Sequence, residues 1–255
     1  LYALRNEYRG WVKTQAGLDF DLLWRVNRFY SIAASLENSF NVSESDGLST
    51  EALGPDRYGL LTLGLLQRLD FRDAPIAGSP GFVAELFLET GQVTGETPVT
   101  FGRVAAATGY YHAWTEKDTI GVGLRGGVIV PSSKTDLPID LRFFTGGANS
   151  VRSFKEREMG PRVGGYPVGG EAFWVGNLEY IRSLAGPLRG VAFVDSGAID
   201  NHAEIFSGEQ IKFAAGLGLR VDLPIGPMRI EYGYNLNREE GEPTGTFHFA
   251  FGAAF

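Results

Sequence analysis

An antiparallel transmembrane β-barrel of about twelve strands, with one long loop folded into its lumen, is the fold class that this 255-residue sequence predicts. Three observations carry that expectation. Apolar and polar residues alternate with a period of two from end to end, the joins between alternating segments are tight and long by turns, and a segment at about 131–170 shows little strand character. A compact domain rarely keeps so long a loop unless the loop has a task.

Twelve segments alternate in this way: 3–14, 18–27, 29–42, 58–70, 81–93, 99–114, 118–130, 171–183, 189–198, 209–223, 227–237 and 245–255. The first is read as ending at a turn over 14–17, and the second sets Phe20, Leu22, Trp24 and Val26 opposite Asp21 and Arg25. Further on, Phe82, Ala84, Leu86 and Leu88 oppose Glu85 and Glu89, and Ile120, Val122, Leu124, Val128 and Val130 oppose Arg125. Near the end, Phe213, Leu217 and Leu219 oppose Lys212 and Arg220, and Ile230, Tyr232 and Tyr234 oppose Arg229 and Glu231. In the final segment Phe247, Phe249, Phe251 and Phe255 oppose Thr246 and His248. Each segment is long enough to cross a bilayer when tilted by about 45°. A soluble sandwich has the same alternation with its apolar face inward, whereas a membrane barrel turns that face to lipid and the charged face to a wet lumen.

Connection lengths favour the barrel. Tight joins at 27–28, 115–117, 185–187 and 224–227 alternate with longer polar joins at 43–57, 131–170, 198–208 and 237–245. The long 71–80 join and the short 14–17 and 94–98 joins depart from that alternation. Short turns at one rim and long loops at the other mark outer-membrane barrels, and an even strand count puts both termini at the turn rim. The 35 glycines and the 13% aromatic content suit such strands and their interfacial girdles.

Composition narrows the chemistry. A net charge of −7 with no basic cluster argues against a nucleic-acid partner. Cysteine is absent, so no disulfide framework or thiolate chemistry is available. His112, His202 and His248 are scattered without metal-ligand spacing, and no Gly-x-Ser-x-Gly elbow occurs. No catalytic residue, metal or cofactor is therefore expected. No apolar run reaches 18 residues, so no spanning helix is expected, and the first residues do not read as a signal peptide. One domain over 1–255 is the expected organisation.

Within the long loop lies Gly146-Gly147-Ala148-Asn149-Ser150-Val151-Arg152-Ser153-Phe154, followed by Gly160-Pro161-Arg162. The stretch resembles the inward-folded loop of the bacterial outer-membrane assembly factors of the BamA and TamA type, the bacterial surface antigen family. The signature there is Val-Arg-Gly-Phe or Tyr with a following Gly-Pro-Arg; Ser153 stands here where that family usually has glycine. The Arg72-Asp73 turn with Pro75 and Gly78, and the terminal aromatic Phe255, also resemble features of those barrels.

The resemblance implies that Val151, Arg152, Ser153, Phe154, Gly160, Pro161 and Arg162 form a lumen-loop motif. It implies that Arg152 meets the Phe-x-Asp of an inner-wall strand, here Phe193 and Asp195, and that Phe247, Phe249, Phe251 and Phe255 form a C-terminal signal read by assembly machinery. Physically, a guanidinium can pair a carboxylate and stack on an aromatic ring at once. The implied activity is non-catalytic insertion or assembly of outer-membrane proteins, or protein translocation, in the bacterial outer membrane. The implied partners are outer-membrane lipids, client outer-membrane proteins and periplasmic assembly factors. A passive barrel with a plugged lumen and a two-partner secretion transporter remain as alternatives. Members of the family carry sixteen strands behind periplasmic POTRA domains; no POTRA-like pattern is read in this chain, so either a fragment or a reduced twelve-stranded barrel is expected.

Overall fold

Alternation along each segment sets successive side chains on opposite faces of one sheet, and antiparallel ladders join the segments in chain order. The computed structural model describes residues 1–73, 79–133, 137–200, 211–223 and 226–252. In chain order the elements are β1 (Tyr2–Tyr8), β2 (Trp11–Arg25), β3 (Tyr30–Ser45), α1 (Thr50–Leu53), β4 (Arg57–Asp70), β5 (Gly81–Thr94), β6 (Val99–Ala113) and β7 (Asp118–Pro131). A single 3-10 turn (Ile139–Leu141) and a small hairpin, β8 (Arg162–Val163) and β9 (Tyr166–Pro167), follow within the long loop. Then come β10 (Ala172–Ala185), β11 (Leu188–Asp200), β12 (Lys212–Leu223), β13 (Gly226–Asn235) and β14 (Gly245–Phe251).

All but β8 and β9 form one 12-stranded sheet in chain order, β7 pairing directly with β10, and every pairing is antiparallel. The fold is thus an antiparallel transmembrane β-barrel. Among the described residues no ladder joins the edge strands β1 and β14. The sheet nonetheless curls around the long loop, which touches strands along its whole width. Asp140 bonds Lys13 of β2 and Tyr58 of β4, Leu141 O accepts from Arg103 of β6, and Arg152 reaches Asp195 of β11 and Glu231 of β13. Arg157 covers Tyr8 of β1, and Ser153 O accepts from Thr246 of β14.

Face assignment follows the alternation. Phe247 (75% exposed), Leu22 (72%), Leu217 (70%) and Val130 (65%) all point outward, and so do Leu63, Phe249 and Phe251. So continuous an apolar belt is a lipid-facing surface rather than scattered surface hydrophobics. Inward positions carry Arg103, Asn177, Glu179, Asp195, Arg220 and Glu231, which would have no place in a sandwich core. Among the described residues, apolar packing inside forms three patches where the loop meets the wall and a fourth among wall strands alone, Tyr111 with Ile181, Val191 and Phe193. One is Tyr58, Leu60, Val93, Val99, Phe101 and Ile129 under Leu137 and Leu141, another sets Val151, Phe154 and Met159 against Val175 and Ile199, and the third gathers Trp11, Leu48 and Leu53 around Ile139 and Val168.

Most strands lie within about three residues of the segments expected from sequence, but the first pair is corrected. The expected turn at 14–17 is absent; β2 runs unbroken from Trp11 to Arg25, and the chain reverses at Arg9-Gly10 instead. Gly10 has φ +91°, the left-handed conformation that a tight reversal needs. Gly17 sits within the ladder, where a Cβ would lie 2.6 Å from Asn38 O, so it is glycine for close approach and not for turning. The polar join at 43–57 also contains a short helix, α1, begun by Ser49 Oγ accepting from Ala52 N. Phe255, His202, the Pro224-Ile225 turn, the start of the 209–223 segment and Pro75 with Gly78 in the 71–80 join lie outside the described residues.

The polarity of the wall gives a direct prediction. Leu217→Arg places a charge on the lipid face near the middle of β12 and is expected to destabilise the bilayer-embedded protein by about 2–4 kcal/mol. Chemical unfolding from vesicles measures this; a neutral effect would mean that this face meets water.

Candidate functional site: the lumen plug

The loop tip is built to hold one arginine. Gly147 N donates to Phe154 O (3.1 Å), Ser150 N to Gly147 O (3.0 Å) and Gly146 N to Ser150 Oγ (3.1 Å), so the stretch from 146 to 154 folds back on itself. Val151 and Phe154 pack into the wall patch with Met159, Val175 and Ile199, leaving Arg152 aimed at the strands beyond.

Arg152 is fully buried, with no exposed surface at all. Its Nε and Nη2 donate to Asp195 Oδ2 (2.9 Å) and Oδ1 (2.6 Å), a two-pronged fork, and its backbone N–H donates to Oδ2 as well (3.0 Å). The guanidinium carbon lies 3.4 Å from the centroid of the Phe193 ring. Phe193 thus supplies an aromatic face to Arg152 and Asp195, two residues on along β11, the carboxylate.

The remaining partners were not identified from sequence. Arg152 Nη1 also donates to Glu179 Oε1 of β10 (2.6 Å) and Glu231 Oε2 of β13 (3.1 Å). Arg220 of β12 bridges the same two carboxylates, with Nη2 at 2.6 Å from Glu179 Oε1 and 2.6 Å from Glu231 Oε1. Arg229 reaches Glu231 (3.4 Å) and donates to Asn149 Oδ1 of the loop (2.5 Å). Asn177 completes the shell, its amide donating to Asp195 Oδ1 (2.8 Å) and Ser150 O (2.9 Å). The three arginines Arg152, Arg220 and Arg229 thus balance the three carboxylates Asp195, Glu179 and Glu231. Apart from Arg152 on the loop, each of these residues is an inward position of its strand; alternation gives the face but not the depth at which the strands bring them together.

Burial alone would push the Arg152 guanidinium down from its ordinary value; the Asp195 bonds and the charges of Asp195, Glu179 and Glu231 outweigh that and hold it above. An ion network shut off from water gains little over an apolar core of equal volume, but removing one member strands its partners at a cost of about 3–5 kcal/mol. Such a network specifies where the loop must sit.

The plug also lies against the last two strands. His248 Nε2 is 2.9 Å from Arg152 O, and Thr246 Oγ1 donates to Ser153 O (2.9 Å). Gly233 of β13 passes so close that a Cβ there would lie 2.3 Å from Arg152 O. Ser153 is fully buried and its Oγ has no partner among the described residues, so the hydroxyl that stands in for glycine makes no visible contribution.

Other expected residues lie elsewhere. Gly160 (φ +114°) packs over Ile199, Pro161 O accepts from Val168 N (3.0 Å), and Arg162 stays at the loop rim, paired with Glu158 (2.8 Å). Arg162 does not join the Arg152 cluster. Phe247, Phe249 and Phe251 line the outer face of β14, on the lipid register expected of them. Among the described residues no group of three or more His, Cys, Asp or Glu is arranged to hold a metal ion.

Two substitutions test the seat. Asp195→Asn keeps the shape and removes one charge, and is expected to destabilise the barrel by about 3–5 kcal/mol in equilibrium unfolding from micelles. Gly233→Ala changes no charge, yet should expose the plug to added protease by forcing the Arg152 backbone away from β13; an unchanged digestion pattern would show that β13 has room to spare.

Comparison with known proteins agrees with this architecture. The Omp85 superfamily domain matches residues 5–255. The chain is 32% identical over 153 residues to the outer membrane protein assembly factor BamA of Nitratidesulfovibrio vulgaris, covering 57% of this chain and 19% of that protein. It is 34% identical over 118 residues to the chloroplastic outer envelope protein 80 of Arabidopsis thaliana (43% of this chain, 14% of that one). It is 27% identical over 172 residues to sorting and assembly machinery component 50 homolog A of Xenopus laevis (68% and 34%). Among solved structures, BamA from Haemophilus ducreyi lacking POTRA domains 1–3 superposes with a TM-score of 0.79 at 16% identity, over 97% of this chain and 56% of that one. CdiB from Acinetobacter baumannii superposes with a TM-score of 0.61 at 15% identity, over 94% and 41%. The chain therefore spans only a part of the length of each relative, and with a match over nearly all of its own length it belongs to the Omp85 superfamily.

Proposed function

We propose that this chain is the barrel portion of an outer-membrane assembly factor, which assists the insertion of client outer-membrane proteins or the translocation of protein without catalytic chemistry. The observation that carries the reading is the seated plug: a fully buried Arg152 bound across β10, β11 and β13 and capped by β14, within a chain of the Omp85 superfamily. Relatives named as an assembly factor and as a component of sorting and assembly machinery support the same direction.

The edge strands suit that role. β1 and β14 are seven residues each, and their outer backbone groups have no ladder partner among the described residues. An extended client strand can add to such an edge by main-chain hydrogen bonding. The bacterial outer membrane is the proposed location, with its lipids against the Phe247, Phe249 and Phe251 face, and with client proteins and periplasmic assembly factors as partners. The plug motif from Val151 to Phe154 and its wall partners Phe193 and Asp195 are proposed to hold the lumen closed while the edges work.

Reconstitution into liposomes tests the proposal. A client β-barrel should fold several-fold faster into proteoliposomes than into empty liposomes of the same lipid. Equal rates with the barrel folded would replace this reading with that of a passive, plugged barrel.

A further inference from the structure

Beside the Arg152 network, which it meets at Asn177, lies a cavity of about 230 Å³. It is walled by Arg68, Arg72, Glu85, Ala107, Arg125 and Asn177. Its width comes from β6. Ala107 stands in register between Glu85 of β5 and Arg125 of β7, so the two charged side chains face one another across a residue too small to fill the gap.

The charges on its walls do not cancel. Arg72 holds Asp70 through Nε (2.8 Å) and Nη2 (2.6 Å), and Arg68 pairs with both Asp70 (3.0 Å) and Glu85. With those acids taken by Arg68 and Arg72, the further carboxylates that act on Arg125 are Asp195 and, from the loop, Glu156, and Arg157 shares Glu156. Arg125 Nη2 is shut off from solvent and has no hydrogen-bond partner among the described residues. Asp195, the carboxylate of the neighbouring network, is already occupied by the Arg152 fork and by Asn177. A guanidinium is always charged and carries five N–H donors. An unpaired buried donor is costly and calls for a partner. The space would hold on the order of seven or eight waters at about 30 Å³ each, enough for one oxyanion with part of its hydration.

We propose that this cavity is an anion site, in which Arg125, flanked by Arg68, binds a single oxyanion group of the phosphate or carboxylate type. The planar fork of arginine matches both. Two sources could present that chemistry: a free oxyanion, or the terminal carboxylate of an extended polypeptide entering at the turn rim, where Arg68 and Arg72 lie at the end of β4. Only the second source rests on the function proposed above; binding of a free anion is measured with no client present, so the two readings fail separately.

The test is a titration of the isotope-labelled barrel in micelles at constant ionic strength, following arginine side-chain resonances by NMR. Inorganic phosphate, acetate, and a short peptide with a free or an amidated C-terminus are added in turn. The expected result is a saturable shift of the Arg125 and Arg68 resonances with at least one of these; in Arg125→Gln the Arg68 shift that remains should require about tenfold or more added probe, and in Arg182→Gln, an exposed arginine of β10, both shifts should be unchanged. A response to phosphate or acetate assigns a free oxyanion; a response to the free-acid peptide alone assigns a chain terminus. Ala107→Leu fills the cavity while leaving Arg125 in place, so it should also abolish the shift, and it decides the matter if Arg125→Gln does not fold. No saturable shift with any probe, or a shift that survives Ala107→Leu, overturns the proposal.

Discussion

A charge moved from water into a protein interior must be met there, and in this barrel Arg152 is met on every side. Asp195 takes its fork, Phe193 its face, and Glu179 and Glu231 its remaining donor. Those four partners come from β10, β11 and β13, so a single loop residue fixes the relative placement of three strands. Arg220 of β12 then ties Glu179 to Glu231 directly. The loop cannot leave without taking from three carboxylates the arginine that joins them, and the wall cannot flatten without separating them. Specification of position, rather than net stabilisation, is what a balanced buried network of this kind provides.

Seating the plug also requires clearance. β13 approaches the loop backbone at Gly233, and β12 gives the Phe193 ring its room at Gly216, where a Cβ would lie 2.2 Å from a ring atom. Farther up, the loop is held by different means. Asp140 accepts from Lys13 (2.5 Å) and Tyr58 (2.6 Å), and Ile139 packs with Trp11, Leu48, Leu53 and Val168. The plug thus makes polar and apolar contacts on both halves of the wall, with its ion network concentrated on β10 to β13. β14 belongs to both the wall and the plug, because Thr246 and His248 bond the carbonyls of Ser153 and Arg152.

Much of this was legible in the sequence, for a physical reason. A barrel wall leaves each residue only two environments, lipid or lumen, so period-two alternation reports the fold almost residue by residue. It placed Arg220, Arg229, Glu231 and His248 on the inner face, whereas Phe193 and Asp195 were singled out only by the family resemblance. What alternation lacks is depth. Glu179, Arg220 and Glu231 meet only because strand tilt and register bring them level, and no short-range pattern encodes that. The misplaced first turn has a similar origin. Gly10 and Gly17 look alike in sequence, and only the ladder shows that one turns the chain while the other makes room for Ser39 and Asn38. Ser153 shows the opposite limit: its departure from the expected glycine is plain in the sequence, yet its hydroxyl has no counterpart among the described residues.

If the Arg152 network organises the wall, its loss must be felt on the strand that touches the plug only through main-chain carbonyls. Native-state hydrogen exchange on Arg152→Gln, compared with the unaltered protein in the same micelles, measures this at the amides of β14. The account predicts that Phe247 to Phe251 lose protection together with the 146–154 loop, while β4 to β6 on the far side of the barrel keep theirs. A loop that exchanges freely beside a β14 with unchanged protection would contradict it, and would reduce Arg152 to a local fastening.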